Sequence, residues 1–271
     1  MTDIRLTIED LHKTYPPRGR KDPGTEVLRG VNLEVHDGEF LSIVGPSGAG
    51  KTTLLRCISG LLAPTSGRVL LDNQEITAPP REIALVFQDY SRSLYPWMNV
   101  GKNIALPLRA QGLDKGEIAK RVESCLASVG LEGAAGRYPW QLSGGMQQRV
   151  AIARAIAYQP EVMVLDEPFA SVDAQTRNDL EDLLLQVRQE TGATFVFVTH
   201  DVDESVYLSD RVAILSQTPS HIEEIVPIGL PADRNQLETR ALPEFSELRA
   251  HIFGTIRNLV VPTNTPPEYT I

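Results

Sequence analysis

The residues Gly45-Pro46-Ser47-Gly48-Ala49-Gly50-Lys51-Thr52 satisfy the spacing G-x-x-x-x-G-K-[ST]. Glycines at these positions let the chain curl so that successive amides point inward at an anion. Lys51 can then reach terminal phosphates, Thr52 can offer its hydroxyl to Mg²⁺, and Thr53 continues the cradle. Farther on, Asp166 and Glu167 follow the apolar run Val162-Met163-Val164-Leu165. A carboxylate there is a second anchor for Mg²⁺. Glu167, pointing to the other side of the strand end, can polarise an attacking water. A third stretch, Leu142-Ser143-Gly144-Gly145-Met146-Gln147-Gln148-Arg149, reads as a helix start with Ser143 as cap. Its first amides can hold a phosphate. Each stretch has a plainer reading on its own: a glycine turn, an acidic turn before Pro168, a capped helix. Together they describe phosphate chemistry.

The elements that would position these groups alternate between strand and helix. Phe40-Leu41-Ser42-Ile43-Val44 is strand-like before the glycine turn, and Thr53-Leu54-Leu55-Arg56-Cys57-Ile58 opens a helix after it. Residues 4–9 alternate, with Ile4, Leu6 and Ile8 on one face; loop chemistry follows over 15–24, then a strand over 27–35. Further strands are expected over 68–71, 83–87, 162–165, 194–198, 212–215 and 222–226. Between 99 and 158, Leu106, Leu108, Leu113, Ile118, Val122, Leu126 and Val129 recur at helical spacing, which predicts an inserted helical subdomain. Leu180, Leu183, Leu184 and Val187 predict another helix, and 241–258 a last one before a loose proline-rich end over 262–267. Such alternation implies a mainly parallel sheet covered on both faces, with ligands beyond the carboxyl ends of its strands. The glycine turn, Gln88, Asp166 and His200 each directly follow an expected strand.

Composition narrows the class of partner. The chain has 271 residues, a formal net charge of −9 and two cysteines. That balance disfavours a nucleic-acid surface, which needs a clustered basic face. Cys57 and Cys125 lie among apolar neighbours in helical stretches and read as small buried hydrophobes of a reducing compartment. The start, Met1-Thr2-Asp3-Ile4-Arg5, lacks the pattern of a secretory leader, and no apolar run approaches a membrane span. The expectation is a soluble, cytoplasmic protein that meets a membrane only through a partner.

These motifs, in this order, closely resemble the ATP-binding subunit of ABC transporters. Residues 45–52 and 162–168 resemble the Walker A and Walker B segments, and 142–149 the family signature. Gln88 resembles the Q-loop glutamine, Ala170-Ser171-Val172-Asp173 the D-loop, and Thr199-His200-Asp201 the switch-histidine segment. Val172 stands where the family usually has alanine or leucine. The resemblance spans residues 4–260. It implies a P-loop NTPase core of α/β class with a mainly parallel sheet, an antiparallel β subdomain and an inserted helical subdomain. It implies one domain over 1–271: a nucleotide-binding core at 1–88 and 160–230, the helical signature subdomain at 89–159, and a C-terminal helix and loose tail at 231–271.

By that resemblance the ligands are ATP and Mg²⁺, and two cassettes pair head to tail as a homodimer or paired cassette. Lys51 would hold the β- and γ-phosphates, with Gly45, Pro46, Ser47, Gly48, Ala49, Gly50, Thr52 and Thr53 around them. Thr52, Gln88 and Asp166 would attend Mg²⁺. Glu167 would be the base, His200 would hold the γ-phosphate and water, and Tyr15 would stack on adenine. Ser143, Gly144 and Gly145 would serve the partner's nucleotide, and Asp173 would link the two sites.

A narrower resemblance concerns Phe87-Gln88-Asp89, the run Leu94-Tyr95-Pro96-Trp97-Met98-Asn99-Val100 and Arg240-Ala241-Leu242-Pro243-Glu244-Phe245. These look like segments of nitrate, sulfonate and taurine importers, with Tyr95 where leucine is usual. In that group the region after the Q-loop grips the membrane permease; core packing is the other reading of Tyr95 and Trp97. The implied function is ATP-driven uptake of a small solute through a separate permease, served by a substrate-binding protein. Two other classes compete. A soluble ABC ATPase of DNA repair or translation would carry long heptad repeats or a second cassette, and neither is present. An exporter subunit is mildly disfavoured by the Pro96-Trp97 segment.

Overall fold

The computed structural model describes residues 3–17, 19, 24–88, 93–170 and 172–260. Asp89, Ser171 and the proline-rich end therefore lie outside the described residues, as does most of the loop expected before Gly24. The strands are β1 (Ile4–Tyr15), β2 (Thr25–His36), β3 (Phe40–Val44), β4 (Ser66–Leu71), β5 (Gln74–Glu75), β6 (Ile83–Val86), β7 (Val162–Asp166), β8 (Thr194–Val198), β9 (Arg211–Leu215) and β10 (Ile222–Pro227). The helices are α1 (Lys51–Ile58), α2 (Val100–Ala110), α3 (Lys115–Ser128), α4 (Gly144–Tyr158), α5 (Ala174–Thr191), α6 (Val202–Leu208) and α7 (Pro243–Val260).

Two sheets result. One is antiparallel, in the order β2-β1-β4-β5. The other, in the order β10-β9-β3-β8-β7-β6, is parallel except for its edge pair β9–β10. The central strands explain why the sequence there is a nearly unbroken apolar run. Side chains alternate across a strand, and both faces are covered. Leu41, Ile43, Val162, Val164, Val196, Val198, Ala213 and Leu215 face one core, shared with α1 and the antiparallel sheet. Phe40, Val44, Met163, Leu165, Phe195, Phe197, Val212 and Ile214 face the other, shared with helices α2 to α7. Phe40 and Phe195 stack there with centroids 4.9 Å apart. Helix α1 is thus clamped through Leu54, Leu55, Cys57 and Ile58. Burying each of its leucines and isoleucines stabilises by roughly 1.5–3 kcal/mol.

Local departures from expectation have physical causes. Strand β1 continues to Tyr15 although alternation fails after residue 9; Asp10 sits at φ 43° and the pairing slips between Ile8 and Leu11, so bulges break the pattern without ending the strand. Helix α6 was not expected. It is one short element with Glu204 and Ser205 buried beside Val206, Tyr207 and Leu208, so no apolar stripe marks it. The last helix runs over Pro243–Val260 rather than 241–258. Cys57 and Cys125 are buried free thiols, pushed up to about 11 by burial.

Candidate active site

Strand β3 delivers the glycine turn at its carboxyl end, and Gly50 closes it as the residue capping α1. Gly50 has φ 80°, and a Cβ there would lie 2.5 Å from Val27 Cγ1, so any other residue would strain the backbone and displace Val27. The first amides of α1 and its positive dipole end face the turn. Lys51 folds back across it; its buried ammonium donates to the carbonyls of Gly45 at 2.9 Å and Pro46 at 3.1 Å. Burial lowers the Lys51 pKa, opposed by the carboxylates of Glu167 and Asp166.

From β7 comes Asp166, whose Oδ1 accepts from Thr52 Oγ1 at 3.2 Å. Burial raises its pKa, and the bond from Thr52 opposes that rise. Glu167 leaves the strand at φ 44°, a left-handed conformation that costs a non-glycine residue about 1–3 kcal/mol. Simple alternation puts Glu167 on the other side of the strand end. The turned backbone instead brings it to the same cavity as Thr52. Its Oε2 accepts from Gln88 Nε2 at 2.8 Å and lies 3.2 Å from His200 Nδ1. Gln88 follows β6 and His200 follows β8, so three neighbouring strand ends supply the three side chains.

A cavity of about 700 Å³ is lined by residues 47–53 with Val27, Gln88, Glu167 and His200. Tyr15, at the last position of β1, places its hydroxyl 3.3 Å from Thr53 Oγ1 at the edge of this group. Ser143, Gly144, Gly145 and Asp173 do not line it. Ser143 caps α4, accepting from the Met146 amide, and Asp173 caps α5, accepting from the Thr176 amide at 3.0 Å. Both residues are exposed. A larger groove, about 830 Å³, lies between α2 and α3; its surface is mostly apolar, edged by Lys102, Arg109 and Lys115, and it holds neither the glycine turn nor a carboxylate.

Two supporting residues were not foreseen. In the turn between β9 and β10, Thr218 Oγ1 donates to the Gly48 carbonyl at 2.7 Å and Ser220 Oγ to that of Ala49 at 2.6 Å. The Ser220 amide also donates to Val27, which ties the two sheets together beside the glycine turn. Nothing in a Thr-Pro-Ser turn signals this contact, made across 170 and 171 positions of sequence.

The residues fit a Mg²⁺–nucleotide. The donor set is hydroxyl, carboxylate and carboxamide oxygen, which suits a hard cation that takes its other ligands from phosphate and water. A buried lysine beside amides at a helix start suits the phosphates.

Comparison with known proteins agrees. The family described as ABC transporter matches residues 28–170. The aliphatic sulfonates import ATP-binding protein SsuB of Bacillus licheniformis is 44% identical over 92% of this chain and 93% of its own length. The nitrate import ATP-binding protein NrtC of Synechocystis is 46% identical over 91% of this chain; the chain spans 37% of that longer protein. The ATP-binding cassette MJ0796, solved as a dimer in a post-hydrolysis state with ADP and Pi, superposes with a TM-score of 0.75. It has 34% identity over 82% of this chain and 98% of its own. A glycine turn, a glutamate, a glutamine and a histidine lining one cavity, with Asp166 bonded to Thr52 of that turn, in a chain so related, mean that this protein belongs to the ABC transporter family as an ATP-binding cassette.

Proposed function

We propose that the chain is the ATP-hydrolysing subunit of an importer for a small solute, acting as one of two cassettes paired head to tail beneath a separate permease. The observation that carries this is the meeting of Lys51, Thr52, Gln88, Glu167 and His200 at one cavity, with Asp166 bonded to Thr52, while Ser143 lies outside it. A site with all its cis parts but a remote signature needs a second copy to close it. The relatives named for sulfonate and nitrate import, and the dimeric neighbour, support the same reading.

In this reading Lys51 and the amides of the glycine turn bind the β- and γ-phosphates, and Tyr15 stacks on adenine. Mg²⁺ held by Thr52, Asp166 and Gln88 would neutralise charge on the phosphates. Glu167 accepts the proton of the attacking water, oriented by Gln88 and His200, and His200 holds the γ-phosphate. Ser143, Gly144 and Gly145 act on the partner's nucleotide, with Asp173 at the seam. Catalysis is positioning and electrostatic stabilisation, so closure of the pair gates it. The core is assigned to 1–88 and 160–230, the helical subdomain to 89–159 and the C-terminal part to 231–271.

The permease contact is assigned to the segment after Gln88. Trp97 is 70% exposed and Tyr95 40%, with rings 5.2 Å apart, which excludes core packing for Trp97. Asn103, buried, holds this loop rigid through Tyr95, Met98 and Asn99. Aromatic anchors on a rigid loop suit a protein contact. No helix among the described residues is long and apolar enough to cross a membrane. The substrate-binding protein acts indirectly, through the permease. The test is to assemble the chain with its permease and ask which solute-loaded binding protein stimulates ATP hydrolysis. Hydrolysis indifferent to every binding protein overturns the importer assignment.

A further inference from the structure

The turn Thr199-His200-Asp201 leads from β8 into α6, and one hydroxyl organises it. Thr199 Oγ1 accepts from the Asp201 amide at 3.0 Å and donates to Glu204 Oε2 at 2.6 Å. Glu204 is buried, and a cationic partner beside it offsets the cost of holding its carboxylate charged. That partner comes from α5. Arg177 Nε lies 3.5 Å from Glu204 Oε1, and Arg177 Nη1 donates to Asp201 Oδ2 at 3.3 Å. One guanidinium thus joins the residue after His200 to the residue that anchors Thr199 before it. His200 itself is 67% exposed at the side chain and takes no part in this network.

The other end of Arg177 is equally fixed. It lies in the first turn of α5, and its amide donates to the Asp173 carbonyl at 2.9 Å. Asp173 caps the same turn through Thr176. The nearby buried carboxylate Glu181 is served by Arg240 at 2.7 Å and Gln236 at 3.0 Å.

We propose that Arg177 is a positioning residue for His200, coupling the Asp173 turn to the Thr199–His200–Asp201 turn through its ion pairs with Asp201 and Glu204. The inference rests on the reading of His200 as a contact of the γ-phosphate and of Asp173 as part of the seam between cassettes. Without the guanidinium, Glu204 keeps the Thr199 hydroxyl and Asp201 the amides of Asp203 and Glu204, but the two carboxylates lose the cation they share. The buried carboxyl, already raised to about 7 by burial, then takes up a proton or the turn opens. Either change loosens the hold on Thr199 and tilts the imidazole. Movement of the Asp173 turn when two cassettes close is passed to His200 by the same route.

The test uses the full chain with Arg177→Ala, Arg177→Lys, His200→Ala and the Arg177→Ala/His200→Ala pair. ATP hydrolysis, ATP affinity of the monomer and the imidazole NMR signals are measured; His200→Ala identifies the His200 signal among the five histidines. Arg177→Ala should lower kcat about tenfold while monomer affinity stays within about twofold. Arg177→Lys should restore most of the rate, and Arg177→Ala should cost nothing further in the His200→Ala background. The His200 signal should shift while the other four stay. Should Arg177→Ala not fold, Arg177→Gln serves the same comparison. A wild-type rate in Arg177→Ala, full additivity with His200→Ala or an unmoved His200 signal overturns the inference. A wild-type chain that hydrolyses no ATP overturns the reading of the function, which is a separate result.

Discussion

His200 Nδ1 stands 3.2 Å from Glu167 Oε2, although the two residues come from different strand ends. This carboxylate also accepts from Gln88, so its orientation is held from two sides. Glu167→Gln keeps the shape and removes the carboxylate we assign as base. Turnover should fall about 100-fold or more, while ATP binding persists and an ATP-bound dimer accumulates, visible by size-exclusion chromatography with ATP. Full ATPase activity in this variant would sink the assignment of Glu167.

Ser143 caps α4 away from the cavity of its own chain. Ser143→Arg should therefore abolish most hydrolysis without weakening ATP binding by the monomer. Loss of the cap costs about 1 kcal/mol, too little to unfold the domain. Equilibrium binding on the isolated chain decides the matter: a collapse of monomer affinity would contradict action across a dimer.

Ser220 is fully buried and its hydroxyl donates to the Ala49 carbonyl. Ser220→Ala leaves that carbonyl unsatisfied, a cost of about 1–3 kcal/mol. Thermal unfolding should shift down by several degrees and ATP affinity should weaken severalfold, because the carbonyl belongs to the glycine turn. Thr218→Val, which removes an exposed bond to Gly48, should cost less. Equal effects from the two would mean that burial does not set the cost.

Glu204 links stability to pH. Burial raises its pKa from 4.5 to about 7 in the folded chain. The folded state therefore holds this proton more tightly than the unfolded state. The stability it contributes is fully present below about pH 4.5 and lost as pH rises through about 7. Glu204→Gln cannot titrate. Between pH 5 and 8 the variant should gain on the wild type by about 2–3 kcal/mol, measured by denaturant unfolding across that range. A difference between the two chains that does not change with pH would rule this out.

Much of the site was legible before any coordinates. Residues 45–52 and the Asp166-Glu167 pair stand out because a glycine turn at fixed spacing and carboxylates after an apolar strand are short local patterns, and the structure brings them together; Ser143 stands out as a helix cap and is one. The buried strands were equally plain, since a strand covered on both faces must be apolar throughout. Helix α6 and the continuation of β1 were not. Burial of Glu204 and Ser205 erased one pattern, and the bulge at Asp10 broke the other. The cavity to which Glu167 turns was also hidden, because a φ of 44° overrides simple alternation.

The amino-acid sequence by itself determined the chemistry of this protein: the phosphate turn, the carboxylates, and the order of strands and helices that carry them. Local steric and hydrogen-bonding rules act over a few residues, so they are written in adjacent positions. Only the tertiary structure decided which distant groups meet. It set Thr52 against Asp166, braced Ala49 with Ser220, and joined Arg177 to Asp201 and Glu204. Those contacts depend on strand order, on register and on the desolvation of paired charges, none of which a local pattern encodes.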